Sequence, residues 1–277
     1  EFYLLDPLEK TPINAISPLS RKRSANTSVL SIDDLDEFEH FFSEVYTACE
    51  DYDIPVDSAI SENSAGQFEI NLTHSENVLN AADQAIFFKR LLKGIAKKHS
   101  LVASFMAKPF LDRAGSGMHL HFSIVDDSNQ NIFNNGTEEG SMNLKHAVGG
   151  LIKAMPNSTL VFAPHLNSYK RLKEGSHAPT SICWGYENRT ASIRIPGGNL
   201  EDIRIEHRVA GADANPYLVS AAILAAALKG IEDNCKPPVA IRGDSYQKPL
   251  PQIPSDWLTA ISLFKNSQLN KLLDLTQ

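Results

Sequence analysis

Residues 188–217 read NRTASIRIPGGNLEDIRIEHRVAGADANPY and hold four arginines, Arg189, Arg194, Arg204 and Arg208, around the carboxylate Glu206. Two segments alternate apolar and polar residues with a period of two, Thr190–Pro196 and Asp202–Val209, which predicts strands. In the second, Ile203, Ile205 and His207 point one way and Arg204, Glu206 and Arg208 the other. A strand face reading Arg-Glu-Arg suits a site that binds an anion and a cation side by side.

The rest of the chain supplies further walls. Its 277 residues suffice for one large domain or two modest ones, and 42% hydrophobic against 21% charged residues is ordinary globular composition. A net charge of −7 argues against a nucleic-acid partner, which calls for a basic stripe. An acidic protein still binds acidic substrates when its cations are gathered in a cleft. Three cysteines without CxxC spacing fit a reducing, cytoplasmic compartment and no disulfide framework. No apolar run reaches membrane-spanning length and no signal peptide is evident, so no membrane partner is expected. The chain starts at Glu1 without Met and already reads as a strand over 1–6, so it is expected to be a piece of a longer protein.

Helices are expected over Ser31–Tyr52, Asn80–His99, Leu144–Met155, Asn215–Glu232 and from Ser255 to about Leu273. Asn215 followed by Pro216 is an N-cap with proline at the first helical position. Strands are expected at Asp57–Glu62 and Gln67–Thr73, forming a hairpin, and at Leu101–Met106 and Met118–Val125. Residues 7–30, rich in proline and small polar residues, read as a surface excursion; a loop meeting a neighbouring subunit is the other reading.

Met118–Val125 sets His119, His121 and Ser123 on one face, opposite Met118, Leu120, Phe122 and Ile124. Two imidazoles on one strand face lie ~7 Å apart, a spacing used for metals, although core or surface histidines read as well. The hairpin adds Glu62 and Glu69, and the first strand adds Glu1. Inward-facing carboxylates on strands are costly unless a cation pairs with them. Carboxylate oxygens with one imidazole suit Mg²⁺ or Mn²⁺ rather than Zn²⁺, while solvated edge residues are the alternative. Metals bridging phosphate oxygens beside arginines are what phosphoryl transfer requires. There is no GxxxxGK[ST] and no GxGxxG opening a helix, so neither a P-loop nor a Rossmann cofactor site is expected. Gly115-Ser-Gly117 precedes a strand and could make a backbone contact to substrate.

Taken together and in order, these pieces resemble the glutamine synthetase family. They are Glu1-Phe-Tyr-Leu-Leu, Glu62 with Gly66-Gln-Phe-Glu69, Phe105-Met-Ala-Lys-Pro109, Gly115-Ser-Gly-Met-His-Leu-His-Phe-Ser123, Asn167-Ser-Tyr-Lys-Arg-Leu172, Ala178-Pro179, Asn188-Arg-Thr-Ala-Ser-Ile-Arg-Ile-Pro196, and Arg204-Ile-Glu-His-Arg208 leading to Ala214-Asn-Pro-Tyr217. The resemblance implies an α+β catalytic domain over 1–277, with a curved, largely antiparallel sheet as half of a funnel and helices packed outside. It implies assembly as a homo-oligomeric ring. It implies ATP-dependent formation of a γ-glutamyl amide: ATP phosphorylates the glutamate side chain, and an amine displaces phosphate.

Carried over by motif, Glu1, Glu62 and Glu69 match ligands of one divalent ion, and His119 and Glu206 ligands of a second. Gly115, Arg171 and Arg208 match contacts to glutamate or the transferring phosphoryl group. Arg189, Arg194 and Arg204 match phosphate-facing arginines, and His121 and Ser123 the nucleotide side. Arg208, Arg189 and Glu206 are the residues expected to carry catalysis.

Several departures narrow the expectation. A further carboxylate of the second metal is expected before Glu1, as is the family's small N-terminal domain, and a C-terminal helix is expected after Gln277. Ala114 stands where ammonia-using members carry Asn, Glu201 where they often carry Lys, and His177 where they carry the Glu that binds and deprotonates ammonium. With the short Glu62-to-Glu69 spacing and Trp184-Gly-Tyr-Glu-Asn-Arg189, the chain looks more like glutamate–amine ligases such as γ-glutamylputrescine synthetase. The alternatives are ammonia-using glutamine synthetase, a non-catalytic relative, and a simple metal hydrolase, which would not need four arginines in one stretch.

Overall fold

A computed structural model describes residues 1–24 and 29–272. The mixed α+β composition is as expected, and the strands fall into two four-stranded sheets. Each sheet belongs to its own compact unit, residues 1–116 and 117–277.

In the first unit, β1 (Phe2–Leu5), β2 (Val56–Ser61), β3 (Gln67–Leu72) and β4 (Val102–Ser104) run in the order β2-β3-β1-β4, all antiparallel. The expected hairpin is β2–β3, turned by Gly66 at φ +75°. A Cβ there would lie 2.9 Å from the Cβ of Asn14, so glycine is required both for space and for backbone. Phe2 pairs with Phe68 across β1 and β3. Their rings meet Phe38, Phe42 and Phe105 on one face of the sheet.

The expected helix over Ser31–Tyr52 is two: α1 (Ile32–Asp36), capped by the Ser31 hydroxyl, and α2 (Glu39–Asp51). The apolar spacing continues across the break because Phe38 belongs to the same aromatic core as Phe41 and Phe42. α3 (Val78–Lys98) starts before the expected Asn80, because the Asn77 side chain accepts from the amides of Leu79 and Asn80. The 7–24 excursion is exposed at Leu8 and Leu19 yet folds back on β1, where Ala15 donates to the Leu4 carbonyl and Arg23 pairs with Asp6. Residues 25–28 of that reading lie outside the described residues.

In the second unit, β5 (Leu120–Phe122), β6 (Trp184–Tyr186), β7 (Ile193–Ile195) and β8 (Ile205–His207) run β5-β8-β7-β6. Only β6 and β7 pair in parallel. The strands are shorter than their alternation predicts. A 3-10 turn at Leu200–Asp202 takes the start of one, and a side-chain turn from Asn188 to Thr190 the start of the other. Ile193, Ile195, Ile203 and Ile205 face a core built by α4 (Met142–Phe162), α5 (Pro216–Glu232) and α6 (Trp257–Lys265).

α4 runs through Pro156, beyond the expected end at Met155. Burial of Leu144, Leu151, Met155 and Phe162 along one helix outweighs the amide that proline lacks. α5 begins as expected, with Asn215 accepting from the amides of Tyr217 and Leu218. The last expected helix divides into α6 and α7 (Gln268–Leu272), and its end at Leu273 lies outside the described residues. No helix among the described residues is long and apolar enough to cross a membrane.

α4 and α5 approach at glycine. A Cβ at Gly150 would lie 2.2 Å from the Ala226 carbonyl oxygen and 2.6 Å from Gly230 Cα. At exposed Gly94 in α3 a Cβ would meet nothing within 4 Å. Two alanine substitutions should therefore have opposite signs in urea unfolding. Gly94→Ala should stabilise by ~0.5–1 kcal/mol through helix propensity and unfolded-state entropy. Gly150→Ala should destabilise by at least ~2 kcal/mol, because two backbones must part.

Candidate active site

In the first unit the register sets the acidic residues on one face. Tyr3 pairs with Gln67 and Phe2 with Phe68, so continuing the antiparallel pairing sets Glu1 opposite Glu69. Glu62 donates its amide to the Gln67 carbonyl, so its side chain shares that face. Burial, followed by the charge of Glu1, pushes the Glu62 carboxyl above the usual carboxylate range, against two hydrogen bonds from Asn63. A face that makes an acid expensive to ionise fits a divalent, oxygen-seeking cation, which would relieve both costs.

The same face anchors the glycine turn. The Tyr3 hydroxyl donates to the Ala114 carbonyl at 2.7 Å, and Gln67 Nε2 to the Gly115 carbonyl at 3.0 Å. Ser64 Oγ accepts from the Ala114 amide. Gly115 is thus a fixed backbone element. The alternation at 67–73 had marked Gln67 as polar without showing that it holds a turn 48 residues away.

In the second unit one row of residues crosses the sheet. His121 pairs with Glu206, and Glu206 with Arg194. One step on, continuing the register sets His119 beside Arg208. Glu206 is only 2% exposed. Its Oε2 lies 3.0 Å from Arg194 Nη1, its Oε1 accepts from Arg208 Nη1, and His119 Nδ1 and His121 Nε2 lie 3.5 and 3.8 Å from Oε1. Arg171, also buried, donates to the carbonyls of Val209 and Arg208, bracing the end of β8. Gly117 leaves it room, since a Cβ there would sit 2.5 Å from Arg171 Nη2.

Cations outnumber the anion on this face. Burial first, then the charges of Arg208 and Arg171, lowers His119 well below the ordinary imidazole value; burial also lowers His121, with Glu206 opposing. Neutral imidazoles can offer a lone pair to a metal. The Nε atoms of Arg194 and Arg208 are buried without a hydrogen-bond partner among the described residues. Unmet guanidinium donors beside a single buried carboxylate fit an anionic ligand. Arg204 lies on the same face and donates from Nε to His121 Nδ1 at 3.3 Å, and Ser123 is exposed at the end of β5.

Arg189 and His177 are not drawn into this row. Both are exposed, and His177 has φ +55°, a left-handed backbone unusual for histidine. Sequence reading quoted Glu187 within a motif without giving it a role; it grips Arg194 with both carboxylate oxygens at 3.1 and 3.2 Å. It likewise gave no role to Asn188, which donates to the carbonyls of Ile241 and Gly243. Residues 182–186, Ile-Cys-Trp-Gly-Tyr, show no alternation of apolar with polar residues, so no strand was expected to deliver them.

Residues 1–274 match the family description "Glutamine synthetase, catalytic domain". The chain belongs to the glutamine synthetase family. It is 40% identical over 279 residues to γ-glutamylputrescine synthetase PuuA of Escherichia coli (strain K12), covering 99% of this chain and 59% of that relative. It is 38% identical over 206 residues to glutamate–isopropylamine ligase of a Pseudomonas species, covering 74% of this chain and 45% of the relative. Among solved structures, unliganded GmaS superposes with a TM-score of 0.85 at 31% identity, covering 97% of this chain and 62% of its own. The chain therefore spans 59% of the length of the E. coli family member.

His207, on the opposite side of β8, tests the strand's orientation. It is fully buried against Phe162, ring centroids 4.5 Å apart, and burial lowers its pKa from 6.5 to about 3. The folded state thus favours neutral His207. That stability is complete above the unfolded value of 6.5 and is lost as pH falls toward 3. Urea unfolding should show the wild type losing ~1.3 kcal/mol per pH unit between about pH 5.5 and 4 relative to His207→Phe, which binds no proton there. Parallel pH profiles would place His207 outside the core.

Proposed function

We propose that the whole protein is an ATP-dependent ligase that joins the side-chain carboxylate of glutamate to a primary amine such as putrescine, through γ-glutamyl phosphate. The supporting observation is the Glu206 row, one buried carboxylate between Arg194 and Arg208, whose Nε donors lack partners among the described residues, beside two imidazoles held neutral. Such a face neutralises phosphate oxygens while keeping metal-ligating atoms deprotonated.

In this reading residues 1–277 are the catalytic domain of a homo-oligomeric cytoplasmic ring. Glu1, Glu62 and Glu69 hold one Mg²⁺ or Mn²⁺, and His119 with Glu206 another. Bound divalent ions supply charge neutralisation on the phosphate oxygens. Arg194 and Arg204, with His121 and Ser123, receive the nucleotide. Gly115 and Arg171 position glutamate, whose carboxylate oxygen attacks the γ-phosphorus as ADP leaves. Arg208 and Arg189 take up the charge of the phosphoryl group in transit. The amine nitrogen then attacks the acyl carbon, phosphate departs, and the amine's proton passes to solvent.

Amine rather than ammonia is favoured by His177, which stands where ammonia-using members carry a carboxylate. The similarity to γ-glutamylputrescine synthetase and glutamate–isopropylamine ligase agrees. An amine panel on the intact protein tests this. Glutamate- and ATP-dependent phosphate release should saturate with one of putrescine, ethanolamine, isopropylamine or methylamine at lower concentration than with ammonia. Preference for ammonia would make it a glutamine synthetase, and no release with any acceptor would leave a non-catalytic relative.

Within an active protein, His177→Glu should raise kcat/KM for ammonia relative to the preferred amine by about tenfold or more, the scale of one charge-assisted contact. An unchanged ratio would remove His177 from amine choice.

A further inference from the structure

Arg194 is held from two sides. On one, Nη1 donates to Glu206 Oε2 at 3.0 Å; on the other, Nη2 faces both oxygens of Glu187 at 3.1 and 3.2 Å. The two carboxylates differ in kind. Glu206 is buried inside β8, whereas the Glu187 side chain is 58% exposed and follows β6.

An exposed ion pair is ordinarily worth little, because water competes and two long side chains lose freedom. Glu187 is different because its backbone is fixed. It takes φ +51°, a left-handed conformation costly for a residue with a Cβ, and its amide donates to the Ile195 carbonyl at 2.9 Å. That bond closes the last pair of the parallel β6–β7 ladder, Tyr186 with Ile195. Asn188, the next residue, is tied to the carbonyls of Ile241 and Gly243. The Glu187 carboxylate also accepts from the Gly197 amide, joining Arg194 to the turn after β7. That amide, ahead of Arg194, holds the carboxylate below its usual range.

We propose that Glu187 is a positioning residue for Arg194, fixing the guanidinium plane and the Gly197 turn together so that the remaining Arg194 donors face the triphosphate. The proposal rests on the assignment of Arg194 to the nucleotide. It adds the residue that sets the arginine's orientation and makes nucleotide affinity, rather than glutamate affinity, the quantity Glu187 controls. A phosphate contact made by a freely rotating arginine would pay the rotamer entropy at binding; two carboxylates on opposite edges remove most of that loss beforehand.

The test uses the intact protein with Mg²⁺ and compares wild type, Glu187→Ala, Glu187→Asp, Arg194→Ala and the double alanine variant. ATP dissociation constants come from calorimetry, KM values from phosphate release, and fold integrity from thermal melts. Glu187→Ala should weaken ATP binding by roughly tenfold, as loss of a supporting partner does, with KM for glutamate and the melting temperature unchanged. Glu187→Asp should recover part of the loss. The double variant should be no weaker than Arg194→Ala, because both act through one guanidinium.

Unchanged or tighter ATP binding by Glu187→Ala beside a weakened Arg194→Ala would overturn the positioning role. Tighter binding would mean that the carboxylate competes with phosphate instead. Undiminished affinity in Arg194→Ala would remove the nucleotide role of Arg194 itself, and this proposal with it. Equal losses for ATP and glutamate, or a lowered melting temperature, would assign Glu187 a merely structural part.

Discussion

The carboxylate of Glu206 is the constraint on which the second unit depends. A buried acid flanked by two arginines is a poor way to gain stability, since desolvating three charges costs several kcal/mol for each ion before their attraction offsets it. It is a good way to fix geometry. Arg194 from β7 and Arg208 beyond β8 both reach Glu206, and His121 of β5 stands across from it, so one side chain gathers groups from three strands at the site. The sheet's other face carries the stability. Ile193, Ile195, Ile205 and His207 are buried against helices that approach closely enough to require Gly150 and Gly230.

The two units carry opposite chemistry on their sheets. The first gathers Glu1, Glu62 and Glu69 on one face, where burial and mutual repulsion raise Glu62. The second gathers arginines and neutral histidines around one acid. In each unit the opposite face is apolar, aromatic in the first and branched aliphatic in the second. Period-two alternation creates both faces at once, so the same strands fold the unit and present its chemistry.

Much of this was legible because strand alternation is a short-range property. Met118, Leu120, Phe122 and Ile124 pack on the core while His119 and His121 turn away from it, as their order requires. Ile203, Ile205 and His207 separate from Arg204, Glu206 and Arg208 in the same manner. The Asn215 cap was equally readable, since it depends on neighbours a few residues away. Boundaries were less so. Phe38 interrupts a helix without interrupting its apolar spacing, and Pro156 sits inside one despite its missing amide, because tertiary burial outweighs local preference in both places.

The sequence by itself determined the family, the composition of each strand face and the kinds of group available for chemistry, because these follow from residue order and from motifs in series. Tertiary structure decided which of those groups meet. Glu187 follows residues 182–186, which show no apolar–polar alternation to read, yet the β6–β7 pairing brings it to Arg194, and Gln67 reaches the Gly115 carbonyl across 48 residues. Arg171 braces β8 from 37 residues away, while exposed Arg189, in the same motif as Arg194, stays outside the row. Such partners are chosen by strand order and register, which depend on how the whole unit buries its core.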